Sequence, residues 1–380
     1  MLLLSSSLMG CVGDDLTSSE KIDQDISEIE IAENDCAESG GNWTVAPDGD
    51  EFYCDFGEDG SGSERMVSGI YCLGTSSVFD FDISPYQVTI MGLGIELEGN
   101  ASGTEFTLTS NSSPFDSLSV DFVFSELLET GEFSLTVTNG NDTFYYNALL
   151  TKGACETYDS EVDEFVNHHF VSLDHIEDIS KFRSSAGHDY SDDFETCRSM
   201  KHYYSPPEAE RINDNIPVYS PVNGTVVVMN TEENGLEVDD GTTNQRVSIR
   251  STDYGAFEFT LFHIDLLSEL NLSLGSSVSA GELLGYARFE RNNGDSDDDS
   301  ASHDFDIAIS LNTNSGMKYV SLFDVLTDNQ FDDYKTWFGE SNLTRSDFII
   351  SESDRNDNPL TCDGEEFTSY GELSSWINNL

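Results

Sequence analysis

The chain has 380 residues, 73 acidic against 16 basic, for a formal net charge of −57; only 23% of residues are charged, so the imbalance comes from scarce lysine and arginine. With 37% hydrophobic and 11% aromatic residues it is too apolar for wholesale disorder and long enough for two domains with separate cores. Such a negative field excludes nucleic acid as a partner of the whole chain, because that binding needs clustered cations to displace counterions. No run reaches the ~18 to 20 apolar residues that span a bilayer, so any membrane attachment needs another route.

The chain opens on a short apolar run ending in Leu8-Met9-Gly10-Cys11, which resembles a bacterial lipobox. The resemblance implies that residues 1–10 are a signal peptide and that the Cys11 thiol carries a diacylglyceryl anchor. Val12, rather than an aspartate, is compatible with the outer membrane of a Gram-negative cell envelope. Residues 11–35 then form an acidic tether without an aromatic residue. With Cys11 set aside, Cys36, Cys54, Cys72, Cys155, Cys197 and Cys362 make an even set suited to disulfides in an oxidising compartment. Sequence alone leaves the pairing open; one that respects the domain limits joins Cys36 to Cys54, Cys72 to Cys155 and Cys197 to Cys362.

Between residues 36 and 155 the residues alternate with period two over 77–81, 87–91, 105–109, 119–124 and 133–137, and Asn139-Gly140-Asn141-Asp142 is a hairpin turn signal. This predicts an antiparallel β-sandwich. It shows no nucleophile with a base and no ligand cluster, which makes it a spacer or adhesive module; Tyr86, Tyr145 and Tyr146 are its candidates for stacking on sugars. Domain two covers residues 156–380. Phe165, Val166, Phe170, Leu173, Ile176 and Ile179 recur at helical spacing, which predicts a helix there, with His168, His169 and His175 as surface or packing residues. The loop from Gly187 to Asp193 carries His188, Asp189 and Asp192. Strands are expected over 216–228, 246–251, 257–263, 281–287 and 305–311, forming a curved sheet or barrel, followed by helix over 318–340. The fold class is therefore mainly β, with helical additions at the end.

Three segments of this second half, in order, carry a resemblance. Pro217 to Val226 is similar to an opening strand and turn, Leu261-Phe262-His263-Ile264 to a strand ending in a histidine, and Gly275 to Gly285 to a Gly-x-x-Val-x-Ala-Gly corner. Together they resemble the lysostaphin-type peptidoglycan metalloendopeptidases over about residues 197–311. A biotinyl or lipoyl carrier has similar corners but needs a lysine, and none lies between Lys201 and Lys318.

The resemblance implies zinc-assisted amide hydrolysis, with three protein ligands and one open position. It places the first ligand at His202, but the second, four residues later, falls on Pro206. The His-x-His strand of the family appears here as Asp304-Phe305-Asp306, putting Asp306 at the metal and Asp304 beside it in the catalytic place, with His263 as the transition-state histidine. His303 is one residue out of phase. His188, Asp189 or Asp192 are left to complete a zinc site. Without a metal, Asp304 and Asp306 repel unless a cation balances them, and Arg183 and Arg198 are candidates. Asp295 to Ser300 alternate like a calcium loop but lack its glycine, so a solvated acidic loop is the simpler reading.

The expectation is an exported lipoprotein with a degenerate peptidase-like domain that binds peptidoglycan or an envelope protein without hydrolysis. One alternative is an active zinc endopeptidase in which His202, Asp306 and His188 or Asp189 hold the ion. Another is a surface adhesion or structural module. The acidic composition also suits a salty medium that screens self-repulsion.

Overall fold

The computed structural model describes residues 69–75, 77–81, 105–109, 117–125, 129–139, 142–192, 194–207, 210, 216–231, 245–288 and 304–378, with strand backbones at 42–45, 52–55, 88–89 and 98–99. The signal peptide, Cys11, Cys36 and the acidic run at 295–300 lie outside the described residues, and so does the Cys36–Cys54 pairing.

The architecture is mainly β and antiparallel. In the first half β1 (Gly69–Leu73), β2 (Ser77–Phe81), β3 (Glu105–Thr109), β4 (Ser117–Phe124), β5 (Thr130–Asn139) and β6 (Asp142–Lys152) lie edge to edge in the order β2-β1-β6-β5-β4-β3. Alternation explains the core: Val120, Phe122 and Phe124 of β4 point inward while Asp121 and Val123 do not. Each buried aromatic is worth about 1.5–3 kcal/mol over leaving it exposed, and Phe122 and Phe133 meet edge to face at 5.5 Å. Asn139 at the end of β5 lies opposite Asp142 at the start of β6, in keeping with the hairpin expected there.

In the second half the strands of the large sheet are β7 (Asp178–Ser180), β8 (His202–Ser205), β9 (Pro217–Tyr219), β10 (Gly224–Thr231), β11 (Gln245–Ser251), β12 (Phe257–Leu266), β13 (Ser277–Val278), β14 (Leu283–Ala287), β15 (Phe305–Thr313), β16 (Gly316–Val320) and β17 (Trp376–Asn378), and a separate hairpin pairs Thr361–Asp363 with Glu366–Ser369. The main path runs β10-β11-β12-β15-β8-β7-β17. Side branches are β14 on β12 with β9 on β14, β13 on β10 and β16 on β15, and these pairings never return on themselves, so no barrel closes among the described residues. Ala148 of β6 bridges Val228 of β10, and Val227 and Val228 pack into the first core, so hydrogen bonding passes from one half to the other. Disulfides join Cys72 to Cys155 and Cys197 to Cys362, two of the three pairs in the set that respects the domain limits.

The helix expected over 165–179 is absent. Only Leu173–His175 makes a 3-10 turn; Val166 instead bridges Leu326 and Val171 bridges Val218. The apolar residues are buried as their spacing suggested, but as an extended segment wedged against strands, where β-branched side chains fit better than in a helix. Helices do follow the last large strand: α1 (Leu322–Val325), α2 (Asp328–Phe338) and α3 (Glu352–Asp357).

Candidate functional site

The site forms where β12, β15 and β8 lie side by side. Tyr203 is in register with Asp306, while His202 and Leu261 flank Ile307 from the two sides. Side chains alternate across a sheet, so Phe305, Ile307, His202 and Tyr204 share one face and Asp306, Tyr203 and Lys201 share the other. The first face is the hydrophobic core. On the second, Lys201, Tyr203 and Asp306 are buried, and only beside them do His188 and His263 reach the surface in part; this stretch is called the groove below.

His263 reaches that face through a break in alternation. Phe257, Phe259 and Leu261 are core residues, and strict parity would send His263 in after them. Between Leu261 and Ile264 the strand carries two residues, Phe262 and His263, where β11 carries only Arg246. This bulge coincides with a left-handed backbone at His263, φ 57°, a conformation uncommon outside glycine. Phe262 and His263 both turn to the groove, and Ile264 returns to the core, fully buried. Just past the bulge, β12 changes neighbour from β15 to β14, and the Arg288 amide donates to the His263 carbonyl at 2.7 Å.

On this face, the Lys201 ammonium lies 2.8 Å from Asp306 Oδ2 and His263 Nε2 lies 3.5 Å from Asp306 Oδ1, with Lys201 3% exposed and the Asp306 side chain fully buried. The Lys201–Asp306 contact is ionic and lies outside hydrogen-bond alignment. Aromatic rings enclose the ammonium, with Phe262 at 3.7 Å, Tyr190 at 4.3 Å and Tyr203 at 5.7 Å from their centroids. Their electron-rich faces partly replace the water that a buried cation gives up. His188 Nε2 stands 3.5 Å from the same ammonium, while its Nδ1 faces the Asp189 carbonyl at 2.9 Å. That arrangement fits Nδ1 as the protonated nitrogen and leaves the Nε2 lone pair toward Lys201. Gly187, at φ +66°, touches the Tyr203 hydroxyl so closely that a Cβ there would collide with it, which explains glycine at this position. Burial, and then the charge of Asp306, push the Tyr203 hydroxyl well above its ordinary pKa and keep it neutral.

Several sequence expectations are corrected here. His202 is no groove residue: it is 1% exposed, its Nδ1 meets the Ser180 carbonyl at 2.8 Å and its Nε2 meets Ser321 Oγ at 2.7 Å. Both ring nitrogens are thus engaged in the core, between Phe182 and Phe323, and burial lowers its pKa to about 4 despite the bond to Ser180. Asp189 is spent on its own loop, accepting from Ser191 Oγ at 2.5 Å and from the Arg198 amide at 3.0 Å. Asp192 likewise accepts from the Phe194 and Glu195 amides and from that of Tyr319. Arg183 and Arg198 do not balance Asp306; both bind Glu195, at 2.6 and 2.5 Å. Burial alone would push Glu195 up, but the two guanidiniums outweigh it and hold the carboxyl below its usual range. The balancing cation is Lys201, which the sequence reading used only to argue against a carrier. Asp304 adjoins this face at the start of β15, half-buried.

These residues do not fit a zinc ion. Zinc needs three donors converging at about 2.0–2.3 Å; here the central carboxylate faces an ammonium, and His202 and Asp189 are committed elsewhere. Among the described residues no three His, Cys, Asp or Glu side chains form a group able to hold a metal. The face can instead hold one buried charge pair rigid and present the edges of His263 and His188, 20% and 41% exposed, to a guest.

No family model matches the chain, and no curated protein matches it. Among solved structures it is similar to Helicobacter pylori Csd3, at 13% identity and a TM-score of 0.25. That likeness covers 57% of this chain and 54% of Csd3, so it spans about half the length of the protein it matches.

Proposed function

We propose that this chain is an exported, lipid-anchored envelope protein whose second half binds peptidoglycan or an envelope protein in the β8–β12–β15 groove without hydrolysing it. The observation that carries this reading is the Lys201 ammonium seated on Asp306 beside His263. A tethered cation takes the place at the carboxylate that the resemblance gives to an ion. A lysine supplies charge and hydrogen-bond donors, but it lowers no water pKa and polarises no scissile carbonyl as a metal does. What is left is recognition: imidazole edges at the mouth, a rigid charge pair below and an aromatic wall between. Lipid anchorage rests on Leu8-Met9-Gly10-Cys11 and export on the disulfides.

The test is sedimentation of the full chain, disulfides formed, with purified cell-wall sacculi, with and without chelator, followed by assay of the supernatant for released fragments. The reading expects co-sedimentation that chelator does not change, no released fragments, and binding about tenfold weaker for His263→Ala, a loss of about 1.4 kcal/mol. Fragment release that chelator abolishes would establish the hydrolase alternative. Failure to co-sediment with either sacculi or envelope extract would remove the binding role.

A further inference from the structure

The buried pair carries a chemistry that recognition leaves unused. Lys201 stands just ahead of β8, and Asp306 is the second residue of the neighbouring strand β15. Among the described residues Lys201 is the one buried lysine, and the Asp306 side chain is fully buried. An amine and a carboxyl enclosed together are the two halves of an amide.

The contact is close but out of line. Nζ is 2.8 Å from Oδ2, yet neither Asp306 oxygen has a hydrogen-bond partner among the described residues. A buried carboxylate with both oxygens unbonded is uncommon and needs a reason. With a C–O bond of about 1.2 Å, Nζ lies no more than about 4 Å from Cγ, near the roughly 3–3.5 Å of reacting atoms poised for attack. The rings of Phe262, Tyr190 and Tyr203 surround the nitrogen, and enclosure away from water is one way a lysine amine becomes a nucleophile. Each partner also has its own imidazole. His188 turns its Nε2 lone pair to Nζ at 3.5 Å, and His263 Nε2 stands 3.5 Å from Oδ1.

We infer that Lys201 and Asp306 join in an intramolecular amide between Nζ and Cγ. His188 takes a proton from the ammonium, and the freed electron pair on Nζ attacks Cγ. His263 protonates Oδ1, the Cγ–Oδ1 bond breaks, and Oδ2 stays as the amide oxygen. Of the three ammonium protons one remains on the amide nitrogen; the equivalent of the other two leaves with Oδ1 as water. Both imidazoles end as they began, exchanging protons with solvent at their exposed edges. No oxidant, reductant or further reactant enters. Fixed side by side, the two groups act at the effective concentrations of well-oriented intramolecular reactions, which a free acid and amine in water lack.

The product is a staple from the start of β8 to β15. The Cys197–Cys362 disulfide already fixes the chain four residues earlier, so β8 is held on two sides, one of them by a bond that reduction leaves intact. The ion pair is the state before joining; the amide removes both charges and leaves the imidazole edges in place. Joining depends on the geometry of this pair and not on what the groove binds.

The test is peptide mass spectrometry of the full chain, purified with disulfides formed, then denatured, reduced and digested with trypsin. Joining keeps residues 199–211, uncut at Lys201, attached to residues 292–318, which contain Asp306, with a mass one water below the sum of the two. This branched peptide is expected in most of the protein and is expected to be absent from Lys201→Arg and Asp306→Ala. After a short pulse of synthesis, His188→Ala and His263→Ala are each expected to show a joined fraction at least tenfold below that of the parent while melting close to it. The proposal is overturned if the folded parent gives only separate peptides cut at Lys201, if water is lost without the branched peptide, or if both folded histidine variants join as fast as the parent.

Discussion

The β8–β15 strand pair has two faces that began from the same kind of sequence, polar residues alternating with apolar ones, and reached opposite solutions. On the core face His202 is neutral, enclosed by Phe182 and Phe323 and tied to Ser180 and Ser321. On the groove face, one residue away on each strand, Lys201 and Asp306 stay charged though almost wholly buried. The core face solves burial by giving up charge, the groove face by pairing it. A neutral histidine that has spent both nitrogens is structural, whereas a paired charge beside partly exposed imidazoles still has reach toward a guest.

That contrast is broken most severely by removing one member of the pair. Asp306→Leu leaves a buried ammonium alone and should cost about 3–5 kcal/mol in urea unfolding. The double change Lys201→Met with Asp306→Leu should recover most of that loss, because two apolar side chains need no solvation. If the double variant is as unstable as the single, pairing is not what holds the groove face. On the core face, acid is the probe. His202 has a pKa of about 4 in the fold against an ordinary 6.5, so the unfolded chain takes up its proton first as pH falls. Its contribution is complete above pH 6.5 and is lost as pH drops toward 4, roughly 3 kcal/mol in all. Replacement by asparagine should flatten that part of the unfolding free energy against pH; an unchanged slope would assign the acid sensitivity to other groups.

Smaller effects sharpen the comparison. Raising salt should raise the melting temperature by screening the formal charge of −57, and equal melting with and without salt would contradict that. The smallest stability change belongs to His263→Gly, which relieves the left-handed backbone at φ 57° and should shift stability by no more than about 1 kcal/mol while sacculus binding falls. Binding that survives this change would move the contact away from the imidazole.

Much of the fold was legible: 105–109 and 133–137 were read from period-two alternation and lie within β3 and β5, and 305–311, read from its β-branched and aromatic residues, lies within β15. Asp304 and Asp306 were also readable, since Phe305 and Ile307 are apolar and had to face inward. The same parity carried across to β8 puts Lys201 and Tyr203, not His202, beside Asp306; residue type drew attention to the histidine, and phase would have corrected it. His263 is the reverse case. Its phase pointed to the core, and only a bulge, which leaves no period in the sequence, turns it outward. The segment 165–179 misled because a helix and an extended run wedged in a core can bury the same residues.

The most direct test of the central claim is zinc analysis by mass spectrometry of the full chain, disulfides formed, after dialysis against excess zinc and then buffer. An internal cation at Asp306 predicts zinc far below one equivalent, with Asp306→Asn and His263→Ala no different from the parent. One tightly held equivalent that disappears in both variants would mean that the groove holds a metal after all.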